Sequence, residues 1–146
     1  MSVGTPVARA LGVDLGTRRI GLAVSDPTGT IASPHSVLDR SGDIADDHGR
    51  IAEVAAEVGA EVVVVGLPRS LSGGDGPAAR AVREEVAVLA AVVGLPVRTA
   101  DERFTTVSAQ QALVAAGVRR AARKAVVDKV AAAVMLQAWL DAGGRA

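Results

Sequence analysis

The stretch GVDLGTRRIGLAVSD, residues 12–26, sets one aspartate, Asp14, inside an apolar run that turns at a glycine and a threonine and then runs apolar again. Its two halves, ALGVDLG and RIGLAVSD, meet at Gly16 and Thr17, which predicts a β-hairpin. A carboxylate near a strand end is costly to bury unless it is paired or holds a cation. The hairpin therefore speaks both for a fold and for a candidate site.

Working outward, DPTG at 26–29 has turn chemistry, with aspartate first, proline second and glycine last. A third strand over 31–38 is weakened by Pro34. The periodicity of 43–59 predicts a helix closed by Gly59. EVVVVGL, 61–67, is a continuous β-branched run, as expected of a strand covered on both faces. A loop over 68–76 leads to a helix opened by Pro77, running to about Val93 and ended by Gly94. LPVRTAD, 95–101, reads as a fifth strand. Thr105 and Thr106 can cap a helix ending at Gly117, and a last helix is expected over 124–141, stopped by Gly143 and Gly144. The order β-β-β-α-β-α-β-α-α predicts an α/β fold. Its five-stranded mixed sheet has strand one central, strands four and five parallel to it, and helices on both faces. Ligands of such sheets gather at the carboxyl ends of the central parallel strands.

With 146 residues the chain suits a single domain, 1–146, with a core that needs no staples. It has no cysteine, which excludes disulfides, thiolate zinc sites and a cysteine nucleophile, and suits a reducing, cytoplasmic setting. The first residues lack a charged start followed by a long apolar run, so no signal peptide is expected. No apolar stretch of about 18 residues is present, so no membrane partner is expected. Charges balance, 16 basic against 16 acidic, so a global electrostatic argument for nucleic acid fails. Their distribution is uneven: residues 39–61 hold seven acids and two arginines, whereas 98–145 hold eight basic residues and four acids. One basic face is compatible with zero net charge, and so is a pair of solvated helix faces. Phe104 and Trp139 are the only aromatics, too few for a base-stacking platform.

Two further acids share the pattern of Asp14. Glu102 lies just past strand five, and Asp128 is the only acid between Glu102 and Asp141, in the strongly apolar helix AVVDKVAAAVMLQAWL. Three converging carboxylates are hard oxygen donors suited to Mg2+ or Mn2+, ions that serve phosphodiester cleavage. Each acid also has a plain structural reading: Asp14 as a turn cap, Glu102 as the partner of Arg103 or Arg98, and Asp128 as a helix first-turn acid. Arg18 on the hairpin and Arg69 after strand four flank the proposed site and are candidates for phosphate contact, as are Arg103 and Lys129 beside two of the acids. Arg119, Arg120, Arg123 and Lys124 form a basic cluster read as preceding the last helix, suited to phosphate or simply to solvent. Asp26 fits its turn better than a metal, and His35 and His48 have no partner at a telling spacing.

Four blocks, GVDLGTRRIGLAVSDPTG, VVVVGLPRSLSGGDGPAA, LPVRTADERFTT and AVVDKVAAAVMLQAWL, closely resemble the YqgF/RuvX family in order and spacing, over nearly the whole chain. The resemblance implies a ribonuclease H-like fold related to the RuvC junction resolvases. It implies a metal-dependent nuclease, with Asp14, Glu102 and Asp128 as the catalytic and metal-binding acids. The substrate it favours is precursor 16S ribosomal RNA, with the ribosome as a further partner; Holliday junctions come second. RuvC-type sites usually carry a fourth acid close to the last one, but the position three after Asp128 is Ala131, so a second ion would be less firmly held. A resolvase is expected to act as a symmetric homodimer, which leaves oligomeric state open.

Two rival readings remain. The segment VDLGTRRIGLAV also resembles the first phosphate-binding hairpin of the actin, sugar-kinase and Hsp70 ATPases, which clasp nucleotide between two such domains. A non-catalytic RNA-binding ribosome-assembly factor would keep the fold without cleavage. Nucleotide binding separates out the first, and metal-dependent cleavage the second.

Overall fold

A computed structural model of the chain describes residues 9–68, 76–101 and 120–143. Among the described residues, five strands and three helices follow in the order β1 (Ala10–Leu15), β2 (Arg19–Ser25), β3 (Ala32–Asp39), α1 (Ile44–Val58), β4 (Val62–Leu67), α2 (Pro77–Val93), β5 (Val97–Asp101) and α3 (Arg120–Asp141). The sheet order is β3-β2-β1-β4-β5, so β1 is central. It pairs antiparallel with β2 and parallel with β4, and β4 pairs parallel with β5. The expected helix between Thr105 and Gly117 lies outside the described residues.

Strand alternation builds two cores. Leu11, Val13, Leu15, Ile20, Leu22, Val63, Val65 and Leu67 face Ile51 and Ala55 of α1 and Ala79, Val82 and Leu89 of α2. On the other face, Ala10, Ala23, Val62 and Val64 meet Ala132, Met135, Leu136 and Trp139 of α3. Helices thus cover both faces, which is why β4 has no polar side and reads as an unbroken β-branched run.

Local chemistry sets the boundaries. The Asp43 carboxylate caps α1 by accepting from the Ala45 and Asp46 N–H groups, and Gly59 ends the helix at φ 68°. Pro77 opens α2, and Gly94 closes it at φ 67°. Pro34 does not break β3. That strand lies at the sheet edge, and its register shifts where Leu22 and Ala23 pair with Ser36 and Pro34, skipping His35. An edge strand with a bulge accommodates a residue that cannot donate. The last helix is longer than expected: it is described from Arg120 rather than Lys124, so Arg120, Arg123 and Lys124 lie within it.

Candidate metal and nucleic-acid site

Asp14 is half-buried near the carboxyl end of the central strand. Leu11, Val13 and Leu15 face α1 and α2, so alternation turns Asp14 toward the α3 side. Its cross-strand partner on β2 is Gly21. On the other flank β1 pairs with β4 as far as Val13 with Val65, and one more residue sets Asp14 beside Gly66. Gly66 in turn pairs with Ala100 of β5. The strand positions level with Asp14 on this face are therefore glycine, glycine and alanine, and neither immediate neighbour presents a side chain to it.

The position of α3 bears on Asp128. A Cβ built on Gly12 would stand 3.0 Å from Leu136 Cβ and 3.3 Å from the Ala132 carbonyl oxygen, so helix and strand touch there. Further along α3, Gln137 accepts from the Ala32 N–H and donates to the Thr30 carbonyl, both at 2.9 Å. Ala32 pairs with Ser25, whose hydroxyl accepts from the Ala10 N–H. The C-terminal part of α3 thus lies level with the start of β1, and the helix runs back toward Asp14. Two strand residues from Gly12 to Asp14 advance about 6.6 Å. Four helical residues from Ala132 back to Asp128 advance about 6 Å. Position 128 therefore lies on the stretch of α3 that runs back toward the carboxyl end of β1. Ala131 is buried, and that position supplies no oxygen donor.

Strand β5 ends at Asp101 beside Leu67, at the same edge of the sheet as the end of β1. Glu102, Arg69, Arg103 and Arg119 lie outside the described residues. Arg18 is exposed on the hairpin turn. Arg120, Arg123, Lys124 and Lys129 share the N-terminal half of α3 with Asp128. Among the described residues no three acids, histidines or cysteines stand close enough to hold a metal by themselves.

Across the sheet from Asp14 lies an ionic cluster that sequence reasoning missed. Arg40 donates to both carboxylate oxygens of Glu85, at 2.7 and 3.0 Å, and His48 Nε2 donates to the same carboxylate at 2.8 Å. Burial pushes the Glu85 carboxyl up, but the bonds from Arg40 and His48 outweigh it and hold it below the usual glutamate value. Asp47, 1% exposed, accepts from the Ser41 N–H and from Arg50. Its carboxyl is likewise raised by burial but lowered more by these bonds, to a net value below the ordinary one. The expectation of a solvated acidic helix face is thus corrected at Asp47, and His48 does have a partner. No local signal marks these residues, because Glu85 is far from Arg40 and His48 in sequence. A cleft of about 530 Å³ opens here, lined by Leu15, Thr17, Ile44, Pro68, Val82 and Glu85 among others. It lies on the α1 and α2 side, not on the side of Asp14. Asp26, as expected, serves its turn. The Ile31 and Thr30 N–H groups and the Thr28 hydroxyl bond its carboxylate and lower its pKa to about 2.

Sheet order, helices on both faces and an acid at the end of the central strand define a ribonuclease H-like domain of the RuvC kind. The chain superposes on RuvC from T. thermophilus in complex with a Holliday junction substrate with a TM-score of 0.55 at 20% identity, over 93% of this chain and 96% of that one. This chain belongs to the RuvX family, whose profile, described as "Holliday junction resolvase", matches residues 8–142. A relative from Mycobacterium ulcerans (strain Agy99) is 48% identical over 98% of this chain and 87% of its own length. One from Pelotomaculum thermopropionicum is 42% identical over 94% and 89%. Both carry the name "Putative pre-16S rRNA nuclease".

Proposed function

We propose that residues 1–146 act as one nuclease domain, a divalent-metal-dependent endonuclease that hydrolyses phosphodiester bonds in the 5′-end maturation of precursor 16S ribosomal RNA in the cytoplasm. The observation that carries this reading is the surroundings of Asp14: a carboxylate at the end of the central strand, flanked by Gly21 and Gly66, on the face of the sheet that α3 covers. The names of the relatives supply the substrate. No helix among the described residues is long and apolar enough to cross a membrane.

Asp14, Glu102 and Asp128 are the proposed donors. The set is carboxylate only: the chain has no cysteine, His35 sits on the edge strand β3, and His48 is buried on the opposite face. Such donors fit Mg2+ or Mn2+ better than zinc. An ion held there would lower the pKa of water and neutralise charge building on the phosphoryl oxygens. The chain's own task is to orient those carboxylates and to hold the substrate backbone. Arg18, Arg69, Arg103, Arg119, Arg120, Arg123, Lys124 and Lys129 are the cations assigned to phosphate, and the sequence-independent part of the affinity comes from such contacts.

The test is cleavage of an end-labelled precursor 16S fragment in manganese. The parent cuts it, chelation abolishes the cut, and Asp14→Asn lowers the rate at least a hundredfold. A parent that binds the fragment but leaves it whole contradicts the nuclease reading and favours an assembly factor.

A further inference from the structure

Arg40 reaches the β1–β2 turn twice. Its Nε donates to the Gly16 carbonyl at 3.0 Å, and its backbone N–H donates to the Arg18 carbonyl at 2.8 Å. The terminal nitrogens of the same guanidinium are spent on Glu85 of α2, which also accepts from His48 of α1. The Arg40 side chain is 16% exposed, so these bonds form largely out of water. Charge-assisted, two-pronged bonds of this kind fix geometry as well as contribute energy. The turn is also constrained from within. The Gly16 N–H closes onto the Asp14 carbonyl at 3.1 Å, and a Cβ at Gly16 would stand 2.5 Å from the Arg19 carbonyl oxygen. One guanidinium therefore ties the turn that follows Asp14 to both helices on the far side of the sheet.

We propose that Arg40 is a positioning residue: by clamping the Gly16 carbonyl to Glu85 and His48, it fixes the turn that carries Arg18 and the strand end that carries Asp14. The proposal rests on the nuclease reading for its catalytic consequence and on geometry alone for the clamp. Lysine at this position keeps the charge but lacks the planar fork, so it cannot serve both Glu85 oxygens and the Gly16 carbonyl together. Displacing a reacting group by about 1 Å costs on the order of a hundredfold in rate.

The experiment combines cleavage kinetics on the labelled precursor fragment with amide hydrogen exchange of Arg40→Lys. The expected result is a kcat reduced roughly ten- to a hundredfold with a smaller rise in KM, because the turn that Arg40 fixes follows Asp14 and also carries Arg18. Exchange at the Gly16 amide should rise about tenfold, while Val63, bonded to the Pro96 carbonyl, stays unchanged. Glu85→Gln, which removes the charge that Arg40 grips, should move both readouts in the same direction, and it carries the test if Arg40→Lys does not fold. An unchanged kcat in a folded variant overturns the proposal, and so does exchange that rises equally at Gly16 and Val63. A parent that does not cleave sinks the nuclease reading and the catalytic half with it, and Gly16 exchange then decides the clamp alone.

Discussion

At the scale of single residues, the puzzle is a carboxylate on a strand whose other positions are apolar or glycine. Valine or leucine there would bury more apolar surface and require no partner. The flanking strands make room: Gly21 and Gly66, each unfavourable in a strand interior, stand on either side of Asp14. These three exceptions to strand chemistry stand at one level of one sheet, where the proposed ion would bind. Carboxylates gathered without a cation repel one another. Metal should therefore stabilise the folded state, by about 2.7 kcal/mol at roughly 100 times its dissociation constant. Asp14→Asn keeps the shape and removes the charge. Its melting temperature should gain little from manganese, whereas the parent's should rise by several degrees. Equal gains in parent and variant, measured by calorimetry, would exclude Asp14 as a ligand.

At the scale of elements, α3 carries the case for nucleic acid. Its contact with β1 is close because Gly12 faces Ala132 and Leu136. Its described N-terminal turns hold Arg120, Arg123 and Lys124, with no acid in the first turn. A cluster of cations of this kind suits a phosphate backbone. Arg120→Ala with Arg123→Ala should weaken binding to all sequences alike and flatten the dependence of log affinity on log salt by about two units, with no loss of stability. Unchanged affinity and slope in a salt titration would make the cluster a solvated face. The sequence pattern places the basic run before this helix, yet arginine, lysine and alanine are strong helix formers, and Arg120, Arg123 and Lys124 lie within it. β3 shows the reverse case: Pro34 argued against a strand, and the edge position with its bulge allowed one.

At the scale of the whole molecule, what was legible in the sequence followed period and punctuation. The hairpin at Gly16, the β-branched run of β4, and Gly59 and Gly94 as helix ends are local signals, and together they fixed the element order and the central place of β1. Asp14 was legible because it breaks its own strand's pattern. The Arg40–Glu85–His48 cluster was not, because it joins three elements through contacts that only the tertiary fold creates. Zero net charge concealed a similar division: Asp47 of α1 and Glu85 of α2 are spent on internal pairs, while Arg120, Arg123 and Lys124 sit together in α3. The proposed function has this fold cut structured RNA at a metal held by Asp14. The direct measurement offers the labelled 16S precursor fragment and a synthetic four-way DNA junction at equal concentration, in manganese and in chelator. Manganese-dependent cleavage of the RNA should be at least tenfold faster than that of the junction. A junction resolved while the RNA stays intact, or RNA cleavage that persists in chelator, would contradict it.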